Sequence, residues 1–221
     1  MPVACIGECM IELSQLDLIG GHSRIAFAGD TLNTAVYLAR LRPGVSYLTN
    51  LGRDAFSTRM LAMFADEGID CGLIGRHDTR LPGLYLIEVD AAGERSFRYW
   101  RETSAARTLF SGIGPGLADL ARFEVIYLSG ITLATLSAEV RAALIRRLAE
   151  LKAAGHRIVF DSNYRPDFGR TKPPQEPPLM PCGWPVRWPC RRLTMRKSCI
   201  RGSARVRCWT GSQVLGWLRS C

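Results

Sequence analysis

Apolar and polar positions follow helical or strand-like periods over the first 170 residues and neither period afterwards. Residues 3–8 form a short apolar run ending around Gly7, which predicts a buried strand. From Asp30 to Leu41 the apolar residues Leu32, Ala35, Val36 and Ala39 recur with helical spacing, and Asp30 or Thr31 is placed to cap the start. Val45–Leu51 predicts a second strand. Residues 54–67 put Phe56, Met60, Leu61 and Phe64 on one helical face, with Gly68 as the stop. Residues 83–101 alternate with period two around a turn at 90–94, which predicts a β-hairpin. Val125–Ser129 is a further buried strand. Residues 137–154 make a long helix with Val140, Leu144, Leu148 and Leu151 inward, ended by Gly155, and Arg157–Asp161 is the next strand. Strand–helix–strand alternation implies an α/β fold with a mostly parallel sheet covered by helices. The hairpin fits neither layer and is expected to stand apart.

Composition divides the chain at the same place. Of its 221 residues, 171–221 hold ten Lys/Arg against one Asp/Glu, so this segment alone accounts for the net charge of +9; the other 19 basic and 19 acidic residues cancel. The segment also holds five of the eight Cys, four of the five Trp and seven of the twelve Pro. The prolines block regular structure. The cysteine gaps of 8, 9, 9 and 13 residues contain no C-x-x-C pair, which argues against a zinc site. A basic, Trp-interleaved tail is compatible with non-specific nucleic-acid binding. No stretch of about 18 apolar residues predicts a membrane span. The first residues show neither a basic start nor a long apolar run, so the reading is cytoplasmic.

Three places could carry chemistry. The turn into the helix at 30 presents backbone N–H groups at a helix N-terminus, and Asp30 and Asn33 lie one turn apart on one edge, able to hold adjacent hydroxyls. A plain Asp cap with a surface Asn fits as well. In the hairpin, Phe97, Tyr99 and Arg101 share a face with Tyr85, Ile87 and Val89. A turn centred on Ala92 sets Tyr85 opposite Tyr99. Two phenols and a guanidinium on one face suit a small carboxylated, hydroxylated molecule; a hairpin packed on the core with Arg101 at its rim is the alternative. Arg165 follows a parallel strand, where ligands of open α/β sheets bind, and could pair with a carboxylate or phosphate; a solvated loop arginine is the alternative. The glycine-rich 112–116 reads as a connecting loop, His22, His77 and His156 as surface residues, and Cys5 and Cys9 as buried thiols.

Several strings together point further: GECMIELS at 7–14, GDTLNTA at 29–35, RLPGLY at 80–85, GER at 93–95, YWR at 99–101, YLSGI at 127–131 and FDSNYRP at 160–166. From about Val3 to about Phe168 the chain resembles the N-terminal half of the sugar-acid kinases of the PfkB, or ribokinase-like, family that act on 2-keto-3-deoxygluconate. The resemblance implies an α/β/α layered, mostly parallel sheet with a small β-sheet lid and the C-terminal half missing. Residues 1–170 would be the N-terminal part of the kinase domain, with the lid at about 10–27 and 83–101 and a possible homo-oligomer contact through it; 171–221 would be a disordered or frameshifted tail. The implied activity is transfer of the ATP γ-phosphoryl, with Mg²⁺, to the terminal hydroxyl of 2-keto-3-deoxygluconate. Gly29, Asp30 and Asn33 would hold sugar hydroxyls, Tyr85 and Tyr99 would line the lid side, and Arg101 and Arg165 would bind the carboxylate. The resemblance stops after Arg170. The family's later Gly-Ala-Gly-Asp-like motif, which supplies the base and the anion-stabilising helix start, has no counterpart between Thr171 and Cys221. The chain is therefore expected to contain no catalytic residue and to be inactive, or to act as a sugar-acid-binding or lid-pairing fragment.

Overall fold

Strand β1 (Val3–Ile6) is apolar at every position because both of its faces are covered. Ala4 and Ile6 point into one core, Val3 and Cys5 into another on the opposite face. The computed structural model describes residues 1–17, 20–90 and 92–163, together with the backbone of 186–187. After β1 come β2 (Met10–Asp17), β3 (His22–Ala28), α1 (Asp30–Leu41), β4 (Val45–Leu51), α2 (Ala55–Asp66), β5 (Ile74–Arg76), β6 (Gly83–Val89), β7 (Arg95–Trp100), β8 (Val125–Ser129), α3 (Gly130–Thr135), α4 (Ala138–Ala153), β9 (Arg157–Asp161) and β10 (Val186–Arg187).

Two sheets result. The larger runs β10-β9-β8-β1-β4-β5, all parallel. Helices α1 and α2 bury Leu32, Ala35, Met60 and Phe64 on one face, with Tyr47 of β4 edge-on to Phe64. Helix α4 buries Leu144, Leu148 and Leu151 on the other, against Ile126, Leu128 and Ile158. Each such fully buried aliphatic side chain contributes about 1.5–3 kcal/mol. This is the expected α/β/α layering. The smaller sheet runs β3-β2-β6-β7: hairpin β6–β7 adds to β2 through a parallel pair, and Tyr85 does pair with Tyr99. No described helix is long and apolar enough to cross a membrane.

The sequence patterns missed some features. Strand β5 is three residues long, too short to show a period. The start of α1 is capped differently from the expectation: Gly29 is the cap, without a side-chain bond. Asp30 sits inside the first turn, where Oδ1 accepts the Thr31 N–H at 2.8 Å, and the Thr31 hydroxyl is buried against the Tyr47 hydroxyl. The 112–116 stretch is a loop, but a packed one. A Cβ on Gly75 would stand 2.7 Å from Gly114 Cα, so two backbones meet where only glycines fit. Buried Asn50 ties this loop to β4, donating to Thr108 Oγ1 at 3.0 Å and to the Ile113 carbonyl at 3.2 Å.

Helix α2 has the cap that α1 lacks. Asp54 Oδ1 accepts from the Phe56 and Ser57 N–H groups at 2.9 and 3.0 Å. Partial burial alone would raise this carboxyl, but the bonds from Ser57 and Phe56 outweigh it and hold the group below its ordinary value. A carboxylate held low stabilises the fold above its unfolded-state pKa and loses that contribution as pH falls through the folded value. Asp54→Ala is therefore expected to cost about 1 kcal/mol at neutral pH. The difference between variant and parent should shrink as pH drops below about 4, the ordinary Asp range. Thermal melts of both proteins across pH 2.5–7 check this.

Candidate functional site

In the parallel sheet β1 is central. The chain adds β4 and β5 on one side of it and β8 and β9 on the other, so the crevice at the strands' carboxyl ends lies between β1 and β8. Ligands of open α/β sheets bind at such switch points. Residues 7–8 after β1, Ser129–Gly130 after β8 and Asp161–Asn163 at the end of β9 all reach this end, and the start of α1 joins them.

At the α1 side, Gly29 and Asp30 are held by neighbours rather than by the helix alone. The Gly29 Cα lies so close to the Glu8 carbonyl oxygen that a Cβ there would overlap it. Asp30 Oδ2 accepts from Asn163 Nδ2 at 3.2 Å, and Asn163 N–H donates to Asp161 Oδ1 at 3.1 Å. The Thr34 hydroxyl donates to Tyr127 at 3.2 Å, and the Tyr127 hydroxyl lies 3.5 Å from Asp161 Oδ2. Burial pushes the Tyr127 phenol above its ordinary range, and the charges of Asp161 and Asp30 push the same way against the Thr34 bond. Tyr127 is thus a lasting donor beside two carboxylates. Asn33 lies on the exposed side of α1, one turn beyond Asp30.

The smaller sheet supplies an aromatic face. Tyr85 and Tyr99 rings are 5.7 Å apart, and Phe97 stacks on Tyr99 at 6.3 Å. The Tyr85 hydroxyl donates to Glu12, its parallel-strand neighbour on β2. Burial first, then that bond and the Glu12 charge, raise the Tyr85 phenol above its ordinary range. With its proton committed to Glu12, the Tyr85 oxygen can accept from a ligand hydroxyl.

Arg101 follows β7 and turns inward. It does not sit at a rim: it is 8% exposed and ion-paired with Glu8, which is as deeply buried, and its Nη2 donates to Thr135 Oγ1 at 2.6 Å. Burial pushes the Glu8 carboxyl up, while the charge of its ion-pair partner Arg101, the neighbouring Ser104 hydroxyl and the nearby Arg107 charge oppose it. Glu8 thus feels two guanidinium charges, those of Arg101 and Arg107.

The structure therefore brings Gly29, Asp30 and Arg101 to Glu8 at the β1 end, pairs Tyr85 with Tyr99 on the smaller sheet beside Glu12, and leaves Asn33 on the exposed side of α1. Arg165 and, apart from 186–187, the 171–221 tail lie outside the described residues. Sequence reading missed Glu8, Glu12, Arg107, Thr34, Tyr127 and Asn163. Only Glu8 left a signal, an acidic residue inside an otherwise apolar stretch. Among the described residues no group of three or more His, Cys, Asp or Glu side chains could hold a metal ion.

The pfkB family carbohydrate kinase model matches residues 2–179. The chain is 48% identical over 176 residues to the 2-dehydro-3-deoxygluconokinase of Dickeya dadantii (strain 3937), covering 77% of this chain and 56% of that protein. It is 47% identical to that of Escherichia coli (strain K12) over the same shares. The chain thus spans about half the length of the curated relatives it matches. Among solved structures, a fructokinase with bound ATP from Xylella fastidiosa superposes with a TM-score of 0.63 at 27% identity, covering 75% of this chain and 49% of that one. A 2-dehydro-3-deoxygluconokinase from Thermotoga maritima superposes with a TM-score of 0.66 at 24% identity, covering 75% and 52%, and shows the shared fold.

Proposed function

Since the chain belongs to the pfkB family of carbohydrate kinases, we propose that it carries the sugar-acid-binding half of a kinase acting on 2-keto-3-deoxygluconate. The observation that supports this most directly is the Tyr85–Tyr99 pair on the hairpin that leads into Arg101, which meets Glu8 beside the start of α1. A neutral sugar needs hydroxyl partners only. A sugar acid also needs a cation, and Arg101 sits at the inner end of the tyrosine face. In this reading Asp30 and Asn33 accept from sugar hydroxyls, the Tyr85 oxygen accepts from another, and Tyr99 covers the ring. Arg101, with Arg165, which follows β9 in the sequence, meets the carboxylate.

ATP is the phosphoryl donor of the reaction, and Mg²⁺ supplies charge neutralisation at its phosphates. Transfer also needs a base near the attacking hydroxyl and donors aimed at the developing charge. Residues 171–221 contain no Gly-Ala-Gly-Asp-like motif for these roles. We therefore propose that this chain binds the sugar acid without completing transfer. Titration calorimetry with 2-keto-3-deoxygluconate in the absence of ATP should show binding. No heat at millimolar ligand overturns the binding reading, and steady ADP formation with ATP and Mg²⁺ overturns the proposed inactivity. In the same assay Tyr85→Phe is expected to lose about 0.5–1.5 kcal/mol of binding free energy, the net worth of one neutral hydrogen bond. Unchanged affinity removes Tyr85 from the site.

A further inference from the structure

Glu8 stands where the chain leaves the parallel sheet for the smaller one, between the end of β1 at Ile6 and the start of β2 at Met10. An acidic residue at such a turn would ordinarily face water. Here its side chain is 3% exposed and paired with Arg101. Taking both charges out of water offsets much of their attraction, and a well-packed apolar pair is often equally stable. Stability alone is therefore a weak reason for the pair.

Its surroundings supply a better one. The Glu8 carbonyl abuts Gly29, the cap of α1. Its carboxylate abuts Gly83, the first residue of β6: a Cβ there would stand 2.8 Å from Glu8 Oε1 and 3.1 Å from Arg101 Cβ. Ser104, three residues past Arg101, is buried beside the same carboxylate and opposes the rise of its pKa. One residue thus touches the start of α1, the strand that carries Tyr85 and Arg101, which follows the strand that carries Tyr99.

Resting on the reading that Arg101 meets the substrate carboxylate, we propose that Glu8 is a positioning residue for acid recognition. It fixes the Arg101 guanidinium in one orientation and sets the tyrosine face at a fixed distance from Gly29 and Asp30. It touches no substrate atom. Held at Nη2 between Glu8 and Thr135, the guanidinium is oriented in advance, so the acid does not have to immobilise a long flexible side chain on arrival.

The test measures affinity of the full 221-residue chain for 2-keto-3-deoxygluconate and for its neutral analogue with a hydroxymethyl group in place of the carboxylate. The ratio of the two is the acid preference. A residue that only stabilises the fold shifts melting temperature without moving this ratio. Glu8→Gln, which keeps the shape and removes the charge, is expected to lower the acid preference at least tenfold. Glu8→Asp, with the charge retained on a shorter stem, should fall between Glu8→Gln and the parent. Arg101→Lys keeps a cation for Glu8 but loses the guanidinium, and should also lower the preference. If Arg101→Lys lowers it and a folded Glu8→Gln does not, the Glu8 proposal alone is overturned. If Arg101→Lys leaves it unchanged, or the parent chain binds neither ligand, the underlying reading falls and the proposal with it. Should Glu8→Gln fail to fold, undiminished preference in Glu8→Asp overturns the proposal.

Discussion

Replacing Arg101 with alanine is expected to lower the stability of the fold by about 3–5 kcal/mol, the usual cost of stranding one member of a buried ion pair. The carboxylate left behind is that of Glu8, 3% exposed and unable to reach water without moving the β1–β2 junction. Thr135 Oγ1 loses its guanidinium donor in the same variant. Most small domains hold only about 5–15 kcal/mol of stability, so the variant should lie near the edge of folding. The cause can be separated from lost packing. Adding Glu8→Gln to Arg101→Ala removes the stranded charge and should restore part of the loss, whereas a packing defect would stay. Denaturant unfolding of the parent, both single variants and the double variant gives the coupling directly. A folded Arg101→Ala within 1 kcal/mol of the parent would mean that the pair is solvated in solution.

The same pair shows where sequence reading stops. Val125–Ser129 and Arg157–Asp161 were legible because each holds a short apolar stretch next to turn residues, a local property. The opposition of Tyr85 and Tyr99 was legible because one tight turn fixes the hairpin register. Helix α4 ends where Gly155 predicts, at a φ of +97°. Contacts between distant segments left no such trace. Nothing in the string of residues says that Glu8 meets Arg101, or that Asn163 donates to Asp30 from 133 positions away. Such partners are set by strand order, which puts β9, β8 and β1 side by side. The cap of α1 escaped for a related reason. Asp30 is a good capping residue by type, but here the Glu8 carbonyl fills the space a side chain would need at position 29, so glycine takes the cap and Asp30 moves into the first turn. Acidic and aromatic residues of the site were visible as types; their roles came from neighbours that only the fold supplies.

Gly29→Ala is the sharpest test of that crowding. Gly29 has φ −178° and ψ 149°, extended backbone that alanine adopts freely, so any penalty is steric. The atom in the way is the backbone carbonyl oxygen of Glu8, which has no rotamer to move to. Either α1 shifts outward or the β1–β2 junction yields, and each movement separates Asp30 from Arg101. Overpacking of this kind costs about 1–3 kcal/mol. Because a displacement near 1 Å spoils a multi-point site, affinity for 2-keto-3-deoxygluconate should fall at least tenfold, or about 1.4 kcal/mol. Gly93→Ala is the matched control. Gly93 has φ +81° at the hairpin turn and nothing within 4 Å of a new Cβ. Its cost is the left-handed backbone penalty of about 1–2 kcal/mol, similar in stability but remote from the ligand. Melting curves should therefore place both variants below the parent, while calorimetry separates them: Gly93→Ala binds like the parent and Gly29→Ala does not. Equal affinity for the two variants would show that the sugar acid does not depend on the contact between Gly29 and Glu8.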